Sequence, residues 1–593
     1  MNRSQFIKLG TIGTISTLLP GYAWAQNGNQ SDETDQDLLD QLLEANDSEV
    51  ELILSRKSIP IEAKLPVTRT LARNLAVMSA SYTNEQSAYY QAAEVLAYLK
   101  AIVSKLLAAQ HPNGTVDAGG NRQSPPDTAF LLEYLCPVIL LLRKATMVPL
   151  LPILEQTEAF VKKAGEALLT GGVHTPNHRW VIAAALARLY YLYGDKRYLN
   201  RADQWLADSI YIDADGQFPE RSRIYSRVET SALLTIAHYL NRPGLLEIVR
   251  KNLVSTYYLM EESGELVTLD SRRQDQYMNI SMSIFYLAYR YLAIYQNDTS
   301  LAAIARQIEQ FTDFDRQVLS NSLIHFNEFD LLCQQLPAPE KLSENYTRLF
   351  PLTGMARLKR GSTTATINAS NDFPVVIASG RATNPTFFTL RKGEAILEYA
   401  RLSTSFFNTG YVRGNGLEAD GNQFRIRERK EAVYYQPMPA ELLHPDGDYP
   451  LTESLDGRYW SKMDFENRPV SNLQTLESTI NVRENEGEFE LDIQIDGEPG
   501  TEVTLELCFR DNGQLQQVLK SENDSEFYLE TGEYATFTSG TDTIRVGPGL
   551  FQHNRTDLID GEMYSTHRGT AKGKGLHLYF TGFTPFQHTL SLK

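Results

Sequence analysis

The chain has 593 residues, a formal net charge of −17 and a hydrophobic fraction of 42%, too long for a single hydrophobic core and too apolar for wholesale disorder. Its negative balance argues against nucleic acid, whose phosphates require Lys and Arg, but leaves room for a local basic cleft. Three cysteines, Cys136, Cys333 and Cys508, have no C-x-x-C spacing, which excludes a zinc ribbon or a thioredoxin-like motif.

Residues 1–25 read as an export signal. Arg3 and Lys8 open a mildly apolar stretch that ends in Ala23-Trp24-Ala25, a small-residue cleavage site. The opening NRSQFIK is a degraded twin-arginine pattern, with Ser4 in place of the second Arg, and the general secretory route is the preferred reading. No cysteine stands near the cut to carry a lipid, and no later run of about 18 residues is apolar enough to span a membrane. The sequence thus predicts an exported protein, periplasmic or secreted, without membrane contact after cleavage.

Residues 26–335 carry a helical pattern. Phe130, Leu131, Tyr134, Leu135, Val138 and Leu141 recur at spacings of three and four, the stripe of a helix packed on others. Residues 181–193 are apolar on nearly every side, as expected of a helix buried on both faces in a two-layer ring. Glycine-containing loops at 111–122, 171–179, 213–223 and 261–273 interrupt the helices. Their marker glycines, Gly114, Gly172, Gly216 and Gly264, recur at intervals that fit two helices plus two loops. Three of the loops share an order of Gly, apolar residue, acid and Arg. Hairpins repeated in this way close into a toroid or stack as a solenoid, with corresponding loops on one rim, although glycine after a helix is also common in its own right.

Residues 336–349 form a Pro-containing polar linker. Over 350–593 the period becomes two, in TATINAS, TEVTLELCFR and GLHLYFTGF, between Asn, Asp and Gly turns. The expected architecture is an α + β multidomain chain: an N-terminal (α/α) toroid followed by a C-terminal antiparallel β-sandwich.

Three rim loops carry the candidate chemistry. In HTPNHRW (174–180) Asn177 can cap the following helix or help an anion dock at its start, with His178 and Arg179 beside it. FPERSRIYSR (218–227) sets Arg221, Arg223 and Arg227 around Tyr225, a candidate proton shuttle or a loop salt-bridged to Glu220 and Glu229. In LDSRRQDQY (269–277) Arg272 and Arg273 can grip a carboxylate bidentately, or one of them can pair with Asp275. Together these groups suit β-elimination from a uronic acid residue: cations neutralise the carboxylate and acidify the neighbouring proton, and Tyr or His moves it. No metal or organic cofactor is obligatory for that step.

The NHRW motif before an Ala-rich helix, then DGQFPERS…Y, then SRRQDQY, with strands following, resembles the heparinase II/III-like polysaccharide lyases and their alginate lyase relatives. The resemblance covers most of the mature chain in architecture and chiefly residues 110–290 in motifs. It implies an (α/α) toroid joined to an antiparallel β-sheet domain, and cleavage of an acidic polysaccharide or oligosaccharide by β-elimination. It implies an Asn-His pair at Asn177 and His178 and a catalytic tyrosine at Tyr225, with Tyr277 as second choice. It also implies a histidine from the β domain, for which His444, His553 and His567 all stand in turn-like surroundings. A structural metal ion in that domain occurs in some relatives, but no compact His/Asp spacing supports one here.

Other readings remain open at this level. A glycoside hydrolase on the same toroid would use two carboxylates, with Asp117, Asp127, Glu220 and Asp275 on the rim. A non-catalytic acidic-glycan-binding protein would use the same arginines and aromatics. SPPDTAF (124–130) reads first as a rigid helix start, and RIRERKE (425–431) as a solvated edge strand. No GxSxG, Walker or HExxH motif is present.

Overall fold

The computed structural model describes residues 33–56, 67–369, 384–457, 459–554 and 574–593, without the side chain of Tyr277. The signal-like segment and His567 lie outside the described residues. Among the described residues, twelve α-helices occupy the first part: α1 Gln36–Ser55, α2 Thr68–Thr83, α3 Ala93–Ala109, α4 Pro125–Ala145, α5 Leu151–Thr170, α6 His178–Tyr193, α7 Lys196–Leu206, α8 Arg223–Tyr239, α9 Gly244–Tyr257, α10 Tyr286–Gln296, α11 Thr299–Ile308 and α12 Ser320–Glu328.

Alternate helices touch in series, α2 on α4, α4 on α6, α6 on α8 and α8 on α10, while α12 packs on α1, α2 and α4. The apolar run noted in the sequence is α6, which buries every residue from Trp180 to Leu189 and ends at Gly194 in the left-handed conformation (φ 68°), a C-terminal stop that suits glycine. α4 starts as its Ser-Pro-Pro-Asp sequence predicts. The Ser124 side chain accepts the Asp127 N–H and proline fills the first turn, where no N–H is missed. No helix among the described residues is long and apolar enough to cross a membrane.

The helical part holds two short strand pairs, Val116–Ala118 with Asn121–Ser124 and Glu265–Leu266 with Ile280–Ser281, and from Asn345–Phe350 onward the described strands form chiefly a ten-stranded and an eight-stranded sheet. Both are antiparallel, except that Glu526–Tyr528 pairs parallel with Leu576–Phe583. They share one apolar core, to which the first sheet contributes Leu358, Ile367 and Leu507 and the second Phe424, Ile480 and Leu491. RIRERKE is not an edge. It lies in Gln423–Tyr435, between Leu417–Asp420 and Val470–Asn485. Its outward side chains find partners across the ladder, Arg425 with Asn481 at 2.8 Å and Arg429 with Glu477 at 2.7 Å. The three cysteines are unpaired.

The helical and β parts meet across a cluster of buried charges. Glu261 pairs with Arg357 at 3.0 Å, both almost wholly buried, and accepts the Thr364 hydroxyl. Glu265 takes two nitrogens of Arg510, at 3.0 and 2.9 Å, and one of Arg391 at 2.7 Å. Burial alone would raise the Glu265 carboxyl, but Arg510 and Arg391 hold it down at about 2. Removing one partner of a buried pair strands the other charge, at a cost of about 3–5 kcal/mol. Glu261→Gln is therefore expected to lower the free energy of unfolding, measured by urea titration, by an amount of that order. A change within about 0.5 kcal/mol, usual for neutral surface positions, would show that the pair contributes little to the seam.

Candidate active site

Three of the glycine loops fold alike. His111, Asp213 and Glu261 each donate the backbone N–H to the carbonyl four residues on, at 2.8, 3.0 and 2.8 Å. The glycine within each turn, Gly114, Gly216 and Gly264, donates back to the turn's first carbonyl, at 2.9, 3.1 and 2.9 Å. Gly216 shows why glycine is required: its φ is +85° and a Cβ would sit 2.7 Å from the Lys251 carbonyl oxygen. The fourth loop, 171–179, lacks this turn and leads straight into α6.

These loops and the helices α2, α4 and α8 enclose a cavity of about 570 Å³, a size suited to a small ligand. His178, Tyr225 and Arg273 all line it. His178 is the first residue of α6, and its ring stands edge-on to Phe130 and to His174, with centroids 6.0 and 5.0 Å away. Burial, reinforced by the His174, Arg69 and Arg273 charges against the opposing Asp127, holds its imidazole down at about 4. It is therefore neutral at pH 7, and its Nδ1 has no partner among the described residues.

Tyr225 stands in the first turn of α8. Its hydroxyl accepts from Gln274 Nε2 at 2.6 Å and from Arg273 Nη2 at 3.4 Å, and the Arg273 guanidinium lies 4.6 Å from its ring centre. Glu220 ties the arrangement together. One carboxylate oxygen accepts from Asn177 Nδ2 at 2.7 Å and the other from Arg273 Nη1 at 2.7 Å.

Asn177 departs from both roles expected of it at the helix start. Its own backbone is already helical (φ −63°, ψ −27°), so its side chain makes no cap, and it is completely buried behind the cavity wall. Its visible work is to hold Glu220. Several expected arginines also turn away, because a buried guanidinium goes where acceptors satisfy its donors. Arg223 is buried on the Val267 carbonyl at 2.8 Å, Gln217 at 3.0 Å and Asp270. Arg221 donates to the Leu352 carbonyl at 3.0 Å, in the β part. Arg272 donates to the Pro219 carbonyl at 2.9 Å. Arg179 lies over Trp180 and reaches Asp208 at 3.3 Å. Tyr277 ends the turn Gln274–Tyr277, and its side chain lies outside the description.

The carboxylates considered for hydrolysis are committed. Asp275 caps α8, accepting from Ser222 Oγ at 2.9 Å and Arg223 N at 2.8 Å. Asp117 holds His111 at 2.9 Å and Arg122 at 3.0 Å, and is not among the groups lining the cavity. Asp127 lines the cavity and pairs with Arg69. Burial would raise its carboxyl, but bonds from Ser124, Asn121 and Arg69 keep it below the ordinary range.

Sequence reasoning missed Arg69, Arg73, Glu133 and Tyr134, which line the same cavity. Arg69 and Arg73 stand four residues apart on α2, a spacing that puts two cations on one helix face. In the β part, His444 is exposed, and both ring nitrogens of His553 meet backbone carbonyls, Nδ1 that of Asn554 at 2.7 Å and Nε2 that of Gly582 at 3.0 Å. Neither lines the cavity.

The depressed His178 predicts its own titration. Between the ordinary value of 6.5 and about 4, only the unfolded chain takes up this proton, so the contribution to stability is present above 6.5 and lost as pH falls toward 4. By NMR, the His178 ring is expected to stay neutral until pH approaches about 4. A midpoint near that of free histidine would contradict the burial argument.

No family model matches the chain, and no curated protein sequence matches it. Solved structures do. Heparinase III aligns with a TM-score of 0.50 at 12% identity, over 88% of this chain and 74% of that one. The Streptomyces coelicolor A3 chondroitin AC lyase solved in complex with chondroitin sulphate aligns at 0.54 and 12%, over 97% and 80%. A Paenibacillus xanthan lyase aligns at 0.54 and 11%, over 94% and 59%. At these identities the likeness is one of fold: the chain, helices followed by large antiparallel sheets, is similar in fold to these three solved lyases.

Proposed function

We propose that the chain is an exported lyase that cleaves a uronic-acid-containing polysaccharide by β-elimination. The observation that carries this reading is the meeting of a neutral imidazole, a phenol and an arginine, His178, Tyr225 and Arg273, on one cavity wall. In support stands the acidic polysaccharide named for one structural neighbour, chondroitin sulphate. We read 26–335 as an (α/α) toroid and the chain to 593 as a β-sandwich, with 1–25 removed on export; the linker expected at 336–349 is shorter than that, since the strand Asn345–Phe350 already belongs to the sheet.

In this reading Arg273 faces the substrate carboxylate, and His178 donates a hydrogen bond to it, which disperses the charge that develops when the adjacent C5–H bond breaks. Tyr225 gives its phenolic proton to the departing O4 and takes the C5 proton in its place, as the C4–O bond breaks and C4=C5 forms. Glu220 and Asn177 are positioning residues that hold Arg273 against Tyr225. Written this way, the step uses only protein groups.

A hydrolase needs one protonated carboxylic acid facing a second carboxylate, and Asp127, Glu220 and Asp275 are each spent on donors or cations. The test is direct. The purified full chain, incubated with a panel of acidic polysaccharides, is expected to release products absorbing at the near-ultraviolet edge. Tyr225→Phe is expected to lower kcat by about 100-fold or more, the usual weight of one acid–base group. New reducing ends without that absorbance, or a Tyr225→Phe enzyme of undiminished rate, would reject elimination by this tyrosine.

A further inference from the structure

Four arginines and two acids line the cavity, Arg69, Arg73, Arg227 and Arg273 against Asp127 and Glu133, in a chain whose net charge is −17. Positive charge is thus gathered where the rest of the protein is negative. The elimination step uses only Arg273. Of the others, Arg73 is matched to Glu49 at 2.7 Å and Arg69 to Asp127. Arg227 is different: the carboxylate it faces, Glu133, is 3.9 Å away, beyond hydrogen-bonding length. Its guanidinium is a third exposed and carries donors arranged for two acceptor oxygens. Close by, the Arg69 guanidinium lies 4.0 Å from the centre of the Phe130 ring, its side chain about half exposed.

We infer that Arg227, with Arg69 beside it, forms a second anion seat, for a carboxylate or sulfate on the sugar adjoining the cleaved uronate. The inference rests on the lyase reading for the identity of the first sugar. The chemistry of the seat is the same for both anions, since a guanidinium grips two oxygens of either. Glu133 sets the selectivity: with an anion bound its charge is offset by Arg227, whereas a neutral neighbouring sugar leaves the Arg227–Glu133 pair to itself. The preferred substrate therefore bears negative charge on consecutive sugars.

The experiment measures binding by calorimetry on the full chain carrying Tyr225→Phe, so that ligands survive. Three oligosaccharides of equal length are compared: a pure oligouronate, one alternating uronate with sulfated hexosamine, and one alternating uronate with neutral N-acetylhexosamine. One or both doubly charged ligands are expected to bind about tenfold tighter than the third, the worth of one charge-assisted contact, and which of them does so identifies carboxylate or sulfate as the anion. Adding Arg227→Gln is expected to bring that ratio close to one, and Arg227→Lys to restore part of it. Arg69→Gln provides a second variant should the first fold poorly. Equal affinity for all three ligands, no binding of any, or a loss in Arg227→Gln shared equally by all three would overturn the seat. Unsaturated product absent from all three with the unmodified chain, while the binding ratio persists, would remove the lyase reading and leave the seat standing.

Discussion

Glu220 accepts hydrogen bonds from two different loops, through Asn177 and Arg273, and by doing so sets the distance between the start of α6 and the first turn of α8. Its backbone carbonyl takes a further bond from Arg272 N at 3.0 Å. A buried carboxylate of this kind is costly unless its oxygens are filled by good donors, and here each oxygen has one at 2.7 Å. The consequence reaches Tyr225. Arg273, held at one nitrogen by Glu220, has its plane and a second nitrogen left for the phenol. The tyrosine is positioned by a chain of partners rather than by its own packing.

Electrostatics follow from that joint. Burial drives His178 toward its neutral form, and the neighbouring cations push it the same way, so the imidazole adds no charge to a cavity already rich in guanidinium. Beneath it Glu229 is almost wholly buried, and burial first and the Glu220 charge second push its carboxyl well above the ordinary range. One of its oxygens has no partner among the described residues. The Arg179 charge and the Trp180 side chain oppose that rise but do not outweigh burial.

The change from period 3.6 to period 2 was legible in the chain because hydrophobic spacing is set by the layer each element packs against. The three glycine turns were legible too, since φ near +85° and a carbonyl at Cβ distance admit little else at Gly216. His178, Tyr225 and Arg273 could be assigned to the rim, although the first two stand in the opening turns of α6 and α8 rather than on loops. What spacing could not reveal was direction. Arg221, Arg223 and Arg273 look alike in sequence, yet acceptors contributed by Leu352, Asp270 and Val267 draw the first two inward. Arg69 and Arg73 were hidden for another reason: α2 is nearly all buried, so its stripe reads as core, and only the tertiary fold exposes its first turns to the cavity. The sequence left Asn177 between a cap and an anion contact because its residue type fits both, while its partner lies 43 positions away.

The β part acts on the cavity through the loops, and none of its described residues lines it. Asp215, one residue before Gly216 and five before Glu220, accepts from the Thr353 backbone N–H at 2.9 Å and its hydroxyl at 3.1 Å, and Gln217 meets the same hydroxyl at 3.2 Å. Arg221 completes the hold at Leu352. The loop bearing Arg273 is fixed from its other end, where Glu261 and Glu265 are buried against Arg357, Arg391 and Arg510 of the sheet. Both loops that Glu220 and Arg273 stand on are therefore clamped to strands. Loops on a protein surface ordinarily sample many conformations, and ordering them costs free energy that a ligand would otherwise have to supply. Here the buried ion pairs of the seam supply it in advance. The described side chains of the β part do not line the cavity; its part is that of the rigid body against which the two chemical loops are set.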